Sequence, residues 1–239
     1  MPRSRLIVVA VVAILAVAVG GFVVYDQVLR GDSATALALP VASTAPGANA
    51  VPAASFDGVI AGTWNIAAQS VAGYRVREQL ANLPAQSDAV GRTDKVTGSI
   101  TLASSGSAVG LTAGTLTVDT TAISSDKPQR DNRLRNEGLQ TDTFPTATFK
   151  LMAPMEIPAA ALSGTASDVT LTGDLTLHGV TKSVSIPAKA QLANGVISVA
   201  GSLSFPLSDY SMTAPSLGGF IVSIADSGTL EFLVNFTKG

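Results

Sequence analysis

Cysteine is absent from the 239 residues of the chain, and histidine occurs once, as His178. The lack of cysteine excludes disulfides, thiolate metal ligands, thiol catalysis and a lipid-modified N-terminal cysteine. A single histidine makes a zinc site built on a histidine cluster implausible, so we predict no metal and no cofactor. None of this places the protein in the cytosol, because an exported domain with an adequate core needs no disulfides.

Charged residues are also few, at 13% of the chain, and they nearly balance at 15 basic and 17 acidic. The net charge of −2 leaves no excess of cations to neutralise phosphates, so we expect no nucleic-acid binding. Aromatic residues make up only 5% of a chain that is 46% hydrophobic. This composition is typical of one sizeable core built mainly from small and aliphatic side chains.

The longest apolar run is Leu6 to Val24, which contains only Ala, Val, Ile, Leu, Phe and Gly. As a helix it would measure roughly 28 Å, close to the hydrocarbon thickness of a bilayer. Arg3 and Arg5 precede it, so the positive-inside rule keeps the N-terminus in the cytoplasm and exports the rest. We therefore predict a transmembrane signal anchor over residues 1–30, a single-pass membrane location and an extracytoplasmic domain.

A cleaved signal peptide is the alternative to a retained anchor. Residues 36–38, Ala-Leu-Ala, would serve as a small-residue cleavage site, and the protein would then be secreted. The length of the apolar run favours the anchor, because a signal-peptide core is usually about 7–15 residues. Residues 31–60 are rich in Ala, Pro, Ser, Thr and Gly, and they are predicted to be a linker.

From residue 61 to residue 239 the pattern indicates an all-β domain. Apolar side chains alternate with Thr or Asp over Val169 to Leu177, which is the period of a half-buried strand. Asn194-Gly195 predicts a tight hairpin, because both residues accept positive φ in a type I′ turn. Further strands are predicted over 96–102, 116–118, 148–151, 180–192, 197–205 and 230–236. About eight antiparallel strands with tight turns favour a barrel or a sandwich.

One segment, Ser125 to Gly138, breaks the β pattern. Pro128 near its start and Gly138 at its end are helix start and stop signals. Leu134, and Leu139 just after its end, are the only large apolar residues there. We predict a short surface helix that lies against the sheet.

Two strings within this domain resemble the signatures of the YceI-like, polyisoprenoid-binding family. The first runs from Arg130-Asp131 and Leu134 to Phe144-Pro145 and Thr148-Phe149, and the second is 173–182, Gly-Asp-Leu-Thr-Leu-His-Gly-Val-Thr-Lys. Residues 62–66 and 70–77 resemble the opening strands of that family, and Ile224, Asp226, Leu230 and Glu231 resemble its closing residues. The chain departs from the family pattern at Gln69 and Glu78, where histidine is common, which argues against histidine-dependent chemistry.

The resemblance implies an extended, lipocalin-like antiparallel β-barrel whose interior holds a long isoprenoid or similar apolar lipid. A barrel of about eight strands is either filled by its own side chains or holds one small ligand. Small residues on the predicted strand faces favour a cavity, although they would also serve tight packing; they are Ala72, Gly98, Gly173, Ala188, Ala190 and Gly201. The candidate ligand-lining residues are Tyr74, Val76, Phe144, Phe149, Leu175, Leu177, Phe205, Phe220 and Phe232.

The same residues are compatible with other functions. Arg130 and Asp131 could orient a lipid head group, but a structural role in holding the helix is favoured, and His178 is read as a turn residue. A structural or interaction module of the cell envelope with a filled barrel is the main alternative to lipid carriage, storage or sensing. A hydrolase is disfavoured, since no Gly-x-Ser-x-Gly elbow and no cysteine occur. The expected partners are the lipid and the membrane, with a homodimer among the alternatives for the oligomeric state.

Overall fold

The computed structural model describes residues 34–40, 59–80, 86–215 and 221–239, and it shows an all-β domain. The strands are β1 (Gly62–Ile66), β2 (Val71–Leu80), β3 (Gln86–Thr93), β4 (Val96–Ser105), β5 (Ala108–Asp119), β6 (Thr146–Leu151), β7 (Met155–Glu156), β8 (Ser167–Leu177), β9 (Val180–Ala193), β10 (Val196–Pro206), β11 (Ile221–Ile224) and β12 (Ser227–Lys238). The helices are α1 (Pro128–Arg133), a π-helical turn (Leu134–Gly138), α2 (Ala159–Leu162) and a 3-10 turn (Leu207–Tyr210).

The sheet closes into an antiparallel barrel. Its strands neighbour one another in the order β1-β4-β5-β6-β8-β9-β10-β12, and β12 pairs back with β1. On the side where β12 pairs with β1, it also pairs, further along, with β2. β3 pairs with β2, just as β4 pairs with β1. If β1 with β2 and β3 with β4 are each taken as one bent strand, the barrel has eight strands, as predicted.

Tight turns set the register of the central hairpins. Asn194 and Gly195 between β9 and β10 have φ of +52° and +76°, and His178 and Gly179 between β8 and β9 have φ of +50° and +74°. Two successive positive φ values match the right-handed twist of the flanking strands, which is why such turns favour Asn and Gly. Both predicted turns are confirmed.

The predicted surface helix begins at Pro128 and passes into the π-helical turn that ends at Gly138. Proline suits the first turn of a helix, because its missing N–H would have no partner there. We call residues 128–138 the helical cap, because several of its side chains lie over one end of the barrel interior.

Two hydrophobic clusters occupy the two ends of the barrel. The larger one surrounds Trp64, whose side chain is fully buried, and includes Leu102, Leu192 and Phe236. The smaller one, at the end nearest the helical cap, includes Leu177 and Tyr210; its other buried members are Ala147, Leu175, Phe205 and Met212. Since closure and both clusters lie within the described residues, we expect the chain from residue 34 onward to fold on its own.

A segment before the barrel, residues 34–40, lies against the outer face of β2 and β3. The backbone carbonyl of Ala34 accepts a hydrogen bond from Arg75 at 2.6 Å, and the carbonyl of Thr35 accepts one from Arg92. Leu39 is buried, with 9% of its surface exposed. Part of the predicted linker is thus in contact with the barrel.

The predicted transmembrane anchor, residues 1–30, lies outside the described residues. Within the described part of the chain, no helix combines the length and the apolar character needed to cross a bilayer.

Substitution of Leu39 tests whether the 34–40 segment stabilises the barrel. Burial of a leucine side chain contributes about 1.5–3 kcal/mol, so we expect Leu39→Ala to lower the free energy of unfolding by about 1–2 kcal/mol. Urea unfolding of the chain from residue 34 onward measures this difference. Ala38→Ser, at an exposed neighbouring position, is the control and should change stability by less than about 0.5 kcal/mol. If Leu39→Ala lowers the free energy of unfolding no more than Ala38→Ser does, burial of Leu39 does not stabilise the barrel.

Candidate functional site

The barrel encloses a cavity of about 630 Å³. This volume lies within the roughly 300–1,000 Å³ that is usual for small-molecule sites. Its lining on β10 extends from Ile197 to Phe205, which at about 3.3 Å per residue is about 26 Å along the strand. The cavity is therefore long and narrow, and it runs from the Trp64 end of the barrel to the helical cap.

The lining follows from the period of two along the strands. Alternate residues of a strand point to the same face, so each strand contributes every second side chain to the interior. The aliphatic lining includes Val76 of β2, Leu116 and Val118 of β5, Leu171, Leu175 and Leu177 of β8, Ile186 and Leu192 of β9, and Ile197, Val199 and Leu203 of β10. Such a surface binds apolar groups by removing them from water and provides no directional contact over most of its length.

Seven of the nine predicted lining residues line this cavity. They are Tyr74, Val76, Phe149, Leu175, Leu177, Phe205 and Phe232. Phe144 lies outside the lining, where its ring packs against His178 with the centroids 4.4 Å apart. Phe220 falls outside the described residues.

The three glycines that were predicted to open the cavity, Gly98, Gly173 and Gly201, do not do so. A Cβ at Gly173 would lie 2.5 Å from the Phe149 ring, and one at Gly201 would lie 2.8 Å from the Phe232 ring. Gly98, with φ of +142°, instead lets the backbone of β5 approach closely. The rings lie over the glycines of neighbouring strands, an arrangement known to support glycine in sheets. The open volume is lined instead by small residues that include Ala72, Ala89, Gly114, Ala147 and Ala190.

Charge is concentrated at the capped end of the cavity. Glu78 lines this end and is only 3% exposed. Its Oε1 accepts a hydrogen bond from Nη2 of Arg130 at 2.5 Å, and the Arg130 side chain is 13% exposed. Nη1 of Arg130 donates to Asp126 and to Ser125. The site is thus apolar along most of its length and polar at one end. An amphiphilic ligand has the same distribution of polarity.

The electrostatics of this end follow from burial and from the ion pair. Burial by itself disfavours the charge of Arg130, but the hydrogen bonds and charges of Glu78 and Asp126 outweigh it and raise the Arg130 pKa. Burial raises the pKa of Tyr74 to about 12, with the nearby carboxylates adding to the shift and Arg130 opposing it. The Tyr74 hydroxyl is therefore neutral at physiological pH.

Asp131 is buried and holds the loop before the helical cap. Its Oδ1 accepts hydrogen bonds from the backbone N–H of Ser125 at 2.9 Å and from the Ser125 hydroxyl at 2.6 Å. This agrees with the structural role favoured for the Arg130-Asp131 pair.

His178 lies beside the capped end, in the turn between β8 and β9. Its Nδ1 is 3.0 Å from the backbone carbonyl oxygen of Tyr210, and its ring packs on Phe144. These contacts are those of a turn residue that joins the hairpin to the 3-10 turn. Among the described residues, no group of three or more Asp, Glu and His side chains could hold a metal ion.

Glu78 is a polar lining residue that was not among the predicted lining residues. A signal was available, because Glu78 is in the same alternating phase as Ala72, Tyr74 and Val76, and a carboxylate on an interior phase needs a partner. The sequence did not show that the partner is Arg130, 52 residues further along the chain.

The comparisons with known proteins agree with this architecture. A YceI-like domain model matches residues 64–236. Protein YceI of Escherichia coli strain UMN026 is 36% identical over 75 residues, and that of Shigella flexneri is 35% identical over the same length. In both cases the match covers 31% of this chain and about a third (35%) of the curated relative.

Among solved structures, a polyisoprenoid-binding domain from Saccharophagus degradans aligns with a TM-score of 0.57 at 18% identity, covering 75% of this chain and 99% of that domain. Burkholderia cenocepacia BcnA aligns with a TM-score of 0.52 at 18% identity, covering 69% of this chain and 95% of BcnA. At such identities the structural likeness establishes the fold alone. The family model covers most of the chain and includes the strands that line the cavity, and on this ground the chain belongs to the YceI-like family.

Proposed function

We propose that the barrel binds a long-chain isoprenoid or a similar apolar lipid in its interior and carries, stores or senses it. The observation that carries this proposal is the cavity of about 630 Å³, which is lined by aliphatic side chains over most of its length. Burial of apolar surface is worth about 25 cal/mol per Å², so a chain that fills the cavity is retained without charged contacts. The polyisoprenoid-binding domain from Saccharophagus degradans, which shares the fold, supports the ligand class.

The alternatives explain the cavity less well. A structural module with a filled barrel would leave no such interior volume. A hydrolase would need a nucleophile with a base in reach, and the ring nitrogen Nδ1 of His178 is instead directed at a backbone carbonyl. We therefore propose a binding role without catalysis.

The location belongs to the same proposal. The apolar run from Leu6 to Val24, preceded by Arg3 and Arg5, supports a single-pass anchor with the barrel outside the cytoplasm. In that position the barrel would exchange lipid with the adjacent membrane. Secretion after cleavage is the alternative, and the N-terminal sequence of the protein recovered from a membrane fraction distinguishes the two.

Native mass spectrometry of the chain from residue 34 onward tests the ligand. We expect protein that has not been extracted with solvent to carry a bound mass that extraction removes, and we expect added polyprenol or quinone to raise the melting temperature of the extracted protein. If no lipid co-purifies and neither compound changes the melting temperature, the lipid-binding proposal is wrong. The same spectrum shows whether the protein is a monomer or a homodimer.

A further inference from the structure

The capped end of the cavity contains a cation whose charge is already matched. The guanidinium of Arg130 is held by Glu78 on one side and by Asp126 on the other. Of the two carboxylates, Glu78 is buried in the cavity lining, whereas Asp126 is 70% exposed. A ligand head group that reaches this end therefore faces a neutralised ion pair, with a buried carboxylate as one of its members.

The same end presents two hydrogen-bond donors. One belongs to Arg130, whose charge is matched by that of Glu78, and the other is the neutral hydroxyl of Tyr74. The Nε–H of Arg130 is buried and has no hydrogen-bond partner among the described residues. The Tyr74 hydroxyl, in the lining of the same cavity, stays protonated. A buried donor without a partner carries an energetic cost that a ligand oxygen can remove. Carbonyl oxygens accept such hydrogen bonds and bring no charge.

The other cations at this end do not reverse the balance. Lys127 is exposed, so its charge is screened by solvent. Arg133 is partly buried and already engaged in interactions with other groups. Asp131, a buried residue of the helical cap itself, adds a further negative charge close to Tyr74.

We propose that Glu78 is a specificity-determining residue, which makes the cavity select apolar lipids with an uncharged, carbonyl-bearing head group over lipids with an anionic one. An anionic head group would compete with the Glu78 carboxylate for Arg130. It would also lie near that carboxylate, and the low local dielectric would strengthen the repulsion between the two negative charges. An ester, ketone, amide or quinone oxygen accepts the Arg130 and Tyr74 hydrogen bonds and leaves the ion pair intact. This inference rests on the proposed lipid-binding function and concerns the chemistry of the head group only.

The test compares two ligands that differ only in the head group. Methyl geranylgeranoate and geranylgeranoic acid share one isoprenoid tail, and at about pH 8 the acid is ionised. Displacement of a fluorescent apolar probe from the chain from residue 34 onward gives both dissociation constants. We expect the wild-type chain to bind the ester at least about tenfold more tightly than the acid, because the pair of unlike charges at this end is already complete.

Glu78→Gln keeps the shape of the side chain and removes its charge. We expect it to strengthen binding of the acid at least about tenfold and to change binding of the ester by less than about threefold. Asp168→Asn removes the same charge from the outer surface, where Asp168 pairs with Lys189, and should leave both affinities unchanged. A double variant, Glu78→Gln with Arg130→Gln, should lose the gain for the acid, because no unmatched cation remains.

Each outcome separates the two proposals. If neither ligand binds the wild-type chain, the lipid-binding function itself is wrong. If both bind and the acid binds as tightly as the ester or more tightly, the role of Glu78 is wrong while lipid binding stands. An increase for the acid that Asp168→Asn reproduces, or that the double variant retains, also overturns it. If the Glu78→Gln chain does not fold, the role of Glu78 is decided by the relative affinities of the wild-type chain for the ester and the acid, together with those of the double variant.

Discussion

Gly114→Phe is expected to abolish lipid binding by the barrel while the fold is retained. Gly114 lies on the interior face of β5, about midway between Leu111 near the Trp64 end and Val118 near the helical cap. A Cβ placed there would meet Ile100 at 3.4 Å and Leu151 at 3.7 Å, which are ordinary contacts. The backbone therefore accepts a side chain at this position, and the added ring has the cavity to occupy.

The expected size of the effect comes from linkage between binding and folding. At a ligand concentration about a hundred times the dissociation constant, a bound lipid stabilises the wild-type fold by about 2.7 kcal/mol. A hundredfold loss of affinity reduces this gain to about 0.4 kcal/mol, so the ligand-dependent rise in melting temperature should nearly vanish. The unliganded variant should be no less stable than the wild type, because the ring fills space that would otherwise be empty.

Gly110→Phe provides the matched control on the same strand. Gly110 is absent from the cavity lining, and a Cβ there would be 3.6 Å from the carbonyl oxygen of Met155. Because the buried side chains of Val109 and Leu111 flank it, Gly110 is in the outward phase of β5. Thermal melts with and without polyprenol should show the full ligand effect in this variant. If polyprenol raises the melting temperature of both variants by the same amount, the lipid binds outside this cavity.

Trp64→Ala is expected to cause the largest loss of stability among substitutions in the barrel. Trp64 is fully buried, and its Nε1 donates a hydrogen bond to the carbonyl of Ile60 at 2.9 Å. It lies on β1, which pairs with β4 on one side and with β12 on the other and so closes the barrel. Truncation of a buried tryptophan costs about 3–5 kcal/mol, a large part of the 5–15 kcal/mol that stabilises a typical domain.

Urea unfolding and calorimetry measure this loss. For a domain of this size the melting temperature should fall by about 10 °C, at about 2–4 °C per kcal/mol. Trp64→Phe keeps most of the buried apolar surface and is the milder comparison, with an expected loss below about 2 kcal/mol. A loss under about 1 kcal/mol for Trp64→Ala would show that the end of the barrel around Trp64 relaxes to fill the space, and that closure does not depend on this side chain.

Much of the architecture was predictable from local patterns. The alternation of residues 169–177 predicted β8 and its interior face, and Asn194-Gly195 predicted the hairpin between β9 and β10. Pro128 marked the start of the helical cap. In these cases neighbouring residues carry the information, because side-chain period and backbone φ are local properties.

The phase of a strand was enough to place some of the predicted residues on the interior face of the barrel. Leu175 and Leu177 line the cavity because their phase is that of the buried face of β8. The glycine prediction failed because the ring over Gly173 comes from Phe149, on a different strand. Phe144 precedes β6, where no strand phase applied, and it packs on His178.

The sequence by itself determined the β class, the turns, the helical cap and, through its two signature strings, the family. Only the tertiary structure decided that β1 closes on β12, that the cavity stays open along the barrel, that Ala34 and Thr35 bind to Arg75 and Arg92, and that Glu78 pairs with Arg130. The physical reason is the range of the interactions. A period of two fixes the face on which a side chain lies, but which strand or charge it meets depends on residues tens of positions away, brought together only by closure of the barrel.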